Sequence, residues 1–300
     1  MVSREQIISV ENGLLILAPA KINLSLLIAG KRPDGFHEIE TVMAKINWYD
    51  EILIQPGQSP GIELICKGSC WAPKGRENLV YQAAKMLLES CGLSANVKIT
   101  LTKNIPAGSG LGSASSDAAA TLIGLNRFLK LEQERKSLAK MAARLGSDVA
   151  FFLDGPLAFC TGKGEKIQKL NENFEFLALL ILPDVNISTK EVYDDYRHDS
   201  ALYQKLRTRI NGYIQKNRID LLGKECVNML EESSFRLAAN LAELKNMIES
   251  LDIGPCCLSG SGSAMFCLIE SGGEEKAIEY KHKVEEKVNC TSMIVRNNRW

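Results

Sequence analysis

Residues 105 to 117 read IPAGSGLGSASSD, and their types and spacing suit them to holding an anion. Gly108, Gly110 and Gly112 let backbone amides approach a ligand with no Cβ in the way. Ser113, Ser115 and Ser116 open an apolar stretch whose spacing, through Ala118, Leu122, Leu125 and Leu129, predicts a helix. N–H groups in a first helical turn lack intrahelical partners, and the positive end of the helix dipole lies there. The hydroxyls would add donors, or oxygen ligands for magnesium. Two familiar phosphate loops are excluded. No lysine follows the glycines as a P-loop requires, and Ser113 stands where a dinucleotide fingerprint needs its third glycine. The purely structural alternative is a glycine turn capped by serine, with Asp117 placed favourably for the dipole.

Three other places could do chemistry. Lys21 interrupts the apolar run LLILAPAKINLSLLIA, residues 14 to 29. An unpaired lysine buried in such a run is costly, so a carboxylate partner is expected; the alternative is a strand residue facing solvent. Asn23, two residues on, shares its strand face. Asp148 follows a predicted helix at Gly146-Ser147 and serves either as a base or as the N-cap of the next segment. His37 lies in the turn-rich GKRPDGFHEIE. The other histidines, His198 and His282, and nine cysteines without CxxC spacing form no zinc-type pattern. All nine cysteines read as free thiols in a reducing cytosol.

A scaffold must position these groups. With 300 residues, 45% of them apolar, the chain can build a full core in two domains or one large one. Thirty-six basic and 36 acidic side chains cancel, which argues against a dedicated nucleic-acid binder but leaves room for a local basic pocket. No signal pattern opens the chain, and its longest apolar run, FLALLIL, is too short to span a bilayer, so a soluble, cytoplasmic protein is expected. Residues 14 to 29 predict one or two strands, and the eleven or so residues before them have no assigned structure. TVMAKINWYDEILIQP predicts strand, turn, strand. ENLVYQAAKMLLESCG predicts an amphipathic helix closed by Gly92, NVKITLTKNIP a strand stopped by Pro106, and KSLAKMAARLG a helix. Polar NENFE, residues 171 to 175, suggests the domain boundary. Beyond it, FLALLILP predicts a strand, residues 189 to 214 are largely helical, and CCLSGSGSAMFCLI predicts strand, glycine turn, strand. EEKAIEYKHKVEEKV is a solvated helix and SMIVR a last strand. Several early strands followed by alternating elements point to α+β.

The loop P-x-G-x-G-L-G-x-x-S-S-D-A-A resembles the phosphate-binding motif of the GHMP kinases, with APAKINLSL (18–26) similar to their first motif and LSGSGSAMF (258–266) to their third. PAKINL, RPDGFHEIET, ENLVYQAA and GSDVAFF resemble the branch that phosphorylates 4-diphosphocytidyl-2-C-methyl-D-erythritol (CDP-methylerythritol). DGFHEIET is the discriminating stretch, and in that branch it recognises cytosine. The resemblance implies an α+β, two-domain GHMP kinase fold. Residues 1–172 would form an ATP-binding domain like domain 2 of ribosomal protein S5, and residues 173–300 a ferredoxin-like α/β sandwich. It implies transfer of phosphate from ATP, with Mg2+, to the acceptor's 2-hydroxyl, in the non-mevalonate (MEP) route to isoprenoid and terpenoid precursors.

Carried over residue by residue, the resemblance makes Asp148 catalytic and the partner of Lys21, which would offset charge on the transferring phosphoryl group. It places Asn23 near the substrate. Phe36 (usually tyrosine in the family) and His37 would read the base, Tyr193 would close its other face, and Thr189 would supply a hydroxyl contact. Pro106, Gly108, Gly110, Leu111, Gly112, Ser113, Ser115 and Ser116 would hold ATP phosphates, with Ser116 a candidate magnesium ligand. Asn78 and Lys103 match positions at the adenine end. Gly260, Ser261 and Gly262 form the C-terminal glycine turn. The implied partners are the two small molecules, with no nucleic acid and no membrane, on a monomer or homodimer. The alternatives are a mevalonate- or homoserine-type kinase, against which DGFHEIET argues, and a non-catalytic sensor, against which the presence of both Lys21 and Asp148 argues. RNA binding through the S5-like half fits poorly with zero net charge.

Overall fold

The computed structural model describes residues 5–170, 174–269, 273–298 and 300. Structure begins earlier than the apolar patterning suggests: β1 (Ile7–Val10) folds back antiparallel on β2 (Gly13–Lys31). β2 pairs along its length with β3 (His37–Pro56). The strand, turn, strand expected for residues 41 to 56 is one continuous strand. The far edge of β3 explains this, because it is occupied twice, so both halves of the strand are held in a ladder. β4 (Ile62–Gly68), α1 (Leu79–Ser90) and β5 (Val97–Lys103) follow, then α2 (Ser113–Phe128), α3 (Arg135–Leu145), α4 (Val149–Leu153), β6 (Leu157–Gly162) and β7 (Lys166–Lys169). β6 pairs with residues 39–44 of β3, and β5 with residues 51–56. Among the described strand-to-strand ladders of this sheet, that of β4 and β5 alone is parallel.

Helices α1 to α4 cover one face of that sheet. α1 starts at Asn78, whose Oδ1 accepts from Val80 N at 2.9 Å, and buries Val80, Ala83, Ala84, Leu87 and Leu88. Gly92, at φ +62°, ends it as expected. α2 buries Ala118, Leu122 and Leu125 against the sheet, so the glycine loop before it is rigidly anchored.

The second half contains β8 (Leu177–Leu182), α5 (Thr189–Asp195), α6 (Ser200–Gln215), α7 (Ile219–Glu225), α8 (Glu231–Leu237) and α9 (Ala239–Glu249). β9 (Cys257–Leu258), β10 (Met265–Ile269), α10 (Gly273–Val288) and β11 (Thr291–Arg296) complete it. Its antiparallel sheet runs β11-β8-β10-β9, the strand order of a ferredoxin-like fold. The helical stretch from residue 189 is two helices. The expected domain boundary falls partly outside the described residues, and one core joins the halves: Ile22 and Leu24 of β2 pack with Leu180, Ile210, Leu222 and Phe266. Among the described residues no helix is long and apolar enough to cross a membrane.

The cysteine expectation needs correction. Cys226 and Cys257 form a disulfide, while the other seven cysteines are free. Thirty-one residues separate the pair in sequence, and only the fold brings their Cα atoms to 4.9 Å.

Candidate active site

Register shifts in the β2–β3 ladder lie on both sides of Lys21–Asn23, between Pro19 and Lys21 and again between Asn23 and Ser25. Such irregularities re-aim side chains out of a regular sheet. Between them Lys21 and Asn23 share a face, and Lys21 Nζ donates to Asn23 Oδ1 at 2.6 Å and to Gly110 O at 2.7 Å. Asn23 is held in turn, donating through Nδ2 to Thr41 Oγ1 at 2.8 Å. Asp148 Oδ2 lies 3.7 Å from Lys21 Nζ. Lys21 is 4% exposed, which excludes the solvent-facing alternative. Burial lowers its pKa, an effect that the Asp148 carboxylate opposes.

Asp148 precedes α4 but makes no capping hydrogen bond with its side chain, so the capping alternative does not account for it. Its carboxylate instead lines a cavity of about 760 Å³. Gly108, Gly110, Gly112, Ser113 and Ser115 line the same cavity at the start of α2. The three glycines have φ of +71°, +78° and +68°, a region L-residues avoid. A Cβ on Gly110 would lie 2.0 Å from Ser259 O, so that glycine permits close approach of the C-terminal turn as much as of any ligand. The loop is sewn down by Lys21 N donating to Leu111 O, Ala264 N to Ser109 O, and Ser259 Oγ to Gly110 O, each at 3.0 Å.

Other residues of the expected ATP group do not line the cavity. Leu111 is core, Pro106 O accepts from Ser109 Oγ, and Ser116 is buried. Asn78 is occupied in capping α1 and donating to Pro73 O. Lys103 is buried between two carboxylates, at 2.5 Å from Asp50 Oδ2 and 2.7 Å from Asp117 Oδ2. Asp50 Oδ1 accepts from Asn104 N and Ile105 N. This cluster therefore ties the chain leading into the glycine loop to the helix leaving it. Asp117 is no surface dipole partner: burial pushes its carboxyl up, against the pull of Lys103. Strand alternation around Lys103 could not reveal it, because both carboxylates come from distant segments.

In the same cavity, His37 and Tyr193 place their ring centroids 5.3 Å apart, tilted by 31°. Phe36 lines the same cavity but is 53% exposed, with Lys163 Nζ 4.4 Å from its ring centroid. Tyr196, absent from the sequence reading, meets His37 edge-on at 5.8 Å. Burial and the charge on Lys31 lower the His37 pKa, and burial raises that of the Tyr193 hydroxyl. Thr189 Oγ1 lies 2.9 Å from Ser261 Oγ, joining α5 to the C-terminal glycine turn, and Gly260 and Ser261 also line the cavity. Gly262, at φ +84°, shapes that turn without lining the cavity. Lys163, Ser147 and Thr41 are further wall residues that the sequence reading missed. Lys163 stands between Gly162 and Gly164, in the turn from β6 to β7.

The sequence and the fold that carry this site are matched in known proteins. The model of the GHMP kinases N terminal domain matches residues 78–156, and that of the GHMP kinases C terminal domain matches residues 210–285. The chain belongs to the GHMP kinase family. Among curated relatives, the 4-diphosphocytidyl-2-C-methyl-D-erythritol kinase of Geobacillus sp. (strain WCH70) is 37% identical over 257 residues, covering 86% of this chain and 88% of that one. That of Bacillus cereus (strain B4264) is 36% identical over 259 residues, covering 85% and 88%. Among solved structures, a 4-(cytidine 5'-diphospho)-2C-methyl-D-erythritol kinase aligns with TM-score 0.75 at 30% identity, over 95% of this chain and all of that one. The homoserine kinase from Cytophaga hutchinsonii ATCC 33406 aligns with TM-score 0.74 at 21% identity, over 97% and 96%, which speaks to the shared fold alone. The GHMP kinase fold read from the three motifs is thus the fold observed.

Among the described residues no group of three or more His, Cys, Asp or Glu side chains is placed to hold a metal ion. Mg2+ carried by ATP needs only one or two protein oxygens, because phosphates supply the rest. Ser115 lines the cavity wall, whereas Ser116 is buried and does not.

Proposed function

We propose that this GHMP kinase transfers the terminal phosphoryl group of ATP to the 2-hydroxyl of CDP-methylerythritol, as a cytoplasmic enzyme of the non-mevalonate route to isoprenoid precursors. One observation carries the reading. A single cavity brings together the Lys21–Asp148 pair, the glycine loop at the start of α2, and the His37–Tyr193 rings.

Phosphoryl transfer asks for positioning and charge neutralisation more than for covalent chemistry. Loop amides and the α2 N-terminus suit the ATP phosphates. Asp148 is the group to orient the acceptor hydroxyl and take its proton, since its side chain has no capping duty. Lys21, desolvated and aimed by Gly110 O and Asn23 Oδ1, would stabilise charge on the transferring group without reorganising. Magnesium, with Ser115 and the phosphates as its oxygens, would supply further charge neutralisation. In the same cavity, His37 is neutral near pH 7 because its pKa is lowered, so its ring offers one donor and one acceptor to a cytosine edge. Tyr193 offers an aromatic face beside it.

The test is ATP consumption with CDP-methylerythritol, mevalonate and homoserine in parallel. Turnover confined to the cytidine-linked acceptor is expected. Equal or better turnover with either of the others would overturn the assignment, and no turnover with any would revive the sensor reading.

A further inference from the structure

We infer that Asn228 is a positioning residue for this phosphoryl transfer, acting through the C-terminal glycine turn on Lys21. The inference rests on the kinase reading above. Asn228 lies in ECVNML, outside every motif that pointed to function, and does not line the cavity. Its side chain nevertheless makes three directed hydrogen bonds. Nδ2 donates to Leu258 O at 2.9 Å and to Gly260 O at 2.7 Å, and Oδ1 accepts from Leu230 N at 2.9 Å. Both amide hydrogens are therefore spent on carbonyls where the chain enters one turn. A carboxamide presents two donors and an acceptor at once, whereas a carboxylate of the same shape presents acceptors only.

The backbone that carries Asn228 is itself fixed. Leu26 N donates to Val227 O at 2.8 Å and Met229 N to Leu26 O at 2.9 Å, so residues 227 to 229 sit as a parallel rung against β2. Leu26 belongs to the cavity wall. Asn228 is thus a brace between the strand that carries Lys21 and the turn that faces it. The Cys226–Cys257 disulfide joins the segment of Asn228 to that of Leu258, two residues before the first and one before the second.

The inner face of the turn meets the reacting groups. A Cβ on Gly260 would lie 3.4 Å from Lys21 Nζ and 3.4 Å from Asn23 Oδ1. Ser259 Oγ donates to Gly110 O, the same carbonyl that accepts from Lys21. A shift of the turn must therefore move the ammonium or its acceptor. Asn228 holds the turn from behind through Leu258 O and Gly260 O. Small displacements of groups that orient a reacting centre reduce rate steeply, by up to about 100-fold for an ångström.

Asn228→Asp tests this. It keeps the shape and the acceptor for Leu230 N but turns both donors into acceptors facing carbonyls. In the folded holo-sequence, turnover with CDP-methylerythritol is expected to fall roughly 10- to 100-fold while ATP affinity stays within about threefold. The decisive comparison is a double-mutant cycle with Lys21→Met. If Asn228 acts through Lys21, Asn228→Asp lowers the residual rate by less than about threefold in that background. An equal loss in both backgrounds, or undiminished turnover in folded Asn228→Asp, overturns the inference. Asn228→Ala, with the disulfide still joining the segments, gives a second variant should the aspartate not fold. A readout independent of turnover is the 13Cε titration of Lys21, assigned by its loss in Lys21→Met. It should move towards that of an exposed lysine in either variant; an unmoved titration rejects the brace. If wild-type protein leaves CDP-methylerythritol unphosphorylated, the functional reading falls, and the titration still decides whether Asn228 sets the ammonium.

Discussion

Lys21 Nζ and Asp148 Oδ2 stand 3.7 Å apart, beyond a hydrogen bond, while the short contacts of the ammonium go to Gly110 O and Asn23 Oδ1. The lysine is therefore aimed by the glycine loop and its own strand, and the carboxylate keeps its lone pairs for another partner. In the proposed reaction, that partner would be the acceptor hydroxyl. The separation also leaves charge attraction between the two groups, enough to oppose but not to cancel the cost of burying the lysine.

Asp148→Asn should lower turnover by about 10²- to 10⁴-fold, the usual cost of losing a positioned base. Nucleotide should still bind, because no loop amide depends on Asp148. Steady-state rates paired with an ATP titration decide it, and turnover within threefold of wild type would remove Asp148 from the chemistry.

Lys21 gives a pH dependence with two opposite signs. Its folded-state pKa lies below the ordinary 10.5, mainly through burial. Between that lowered value and 10.5 the unfolded chain binds more protons than the folded one. The contribution of this group to stability is thus complete above 10.5 and is lost as pH falls through the lowered pKa. Turnover runs the other way, since deprotonation removes the charge that transfer requires. The rate profile should show an alkaline limb below 10.5, and Lys21→Arg, which stays charged, should move that limb upward. A limb at or above 10.5 contradicts the burial argument.

Gly108 and Gly112 should separate binding from chemistry. Both have left-handed φ, so alanine costs about 1–2 kcal/mol of strain at either. A Cβ on Gly108 meets no atom within 4 Å and projects into open space, whereas one on Gly112 meets Phe152 Cζ at 3.0 Å and Lys21 Cε and Cγ at 3.1 Å. Gly108→Ala should therefore weaken ATP binding with most of kcat retained, and Gly112→Ala should lower kcat by shifting Lys21. Isothermal titration and initial rates on both variants check the split; the reverse pattern would mean the loop faces its ligand the other way.

Lys103→Met should destabilise the fold by about 3–5 kcal/mol, because it leaves the Asp50 and Asp117 carboxyls buried together without their cation. Urea unfolding measures this. If Lys103 instead contributes chiefly at the adenine end, stability stays near wild type and ATP affinity falls.

How much of this site could be read before the fold was known follows from residue type. Glycines alternating with serines before an apolar helix, a lysine inside an apolar strand, and DGFHEIET are rare enough combinations to stand out in one chain. That Lys21 and Asp148 meet, 127 positions apart, came from resemblance and not from either residue's neighbours. The two carboxylate partners of Lys103 were not legible, because strand alternation says which face a side chain takes and nothing of what waits there. The β3 strand was broken in the reading because residues 46 to 51, INWYDE, mix turn formers with apolar groups; pairing on two edges overrides that local preference. Asn228 and the Cys226–Cys257 link left no local signal at all, since both depend on residues 227 to 229 lying along β2.

The aromatic wall gives the last prediction, and here the geometry changes the expectation. A base stacked between Phe36 and Tyr193 was implied by resemblance, yet Phe36 stands 53% exposed beside Lys163 while His37 pairs with Tyr193. His37 also meets Tyr196, the two rings nearly perpendicular with centroids 5.8 Å apart. Stacking on a buried ring is worth about 1–3 kcal/mol, and an exposed ring returns less of it. Tyr193→Ala should therefore raise the KM for CDP-methylerythritol by about 10- to 100-fold and leave the ATP KM nearly unchanged. Phe36→Ala should raise the acceptor KM by a smaller factor. Because energy from a remote base can be used to position the reacting hydroxyl, methylerythritol phosphate without cytidine should be a very poor acceptor for wild type. Varying each substrate in turn, for both variants, reads all of this. If Phe36→Ala proved the more damaging, the base would sit on the outer ring; if Tyr193→Ala raised the ATP KM instead, the wall would belong to the nucleotide donor.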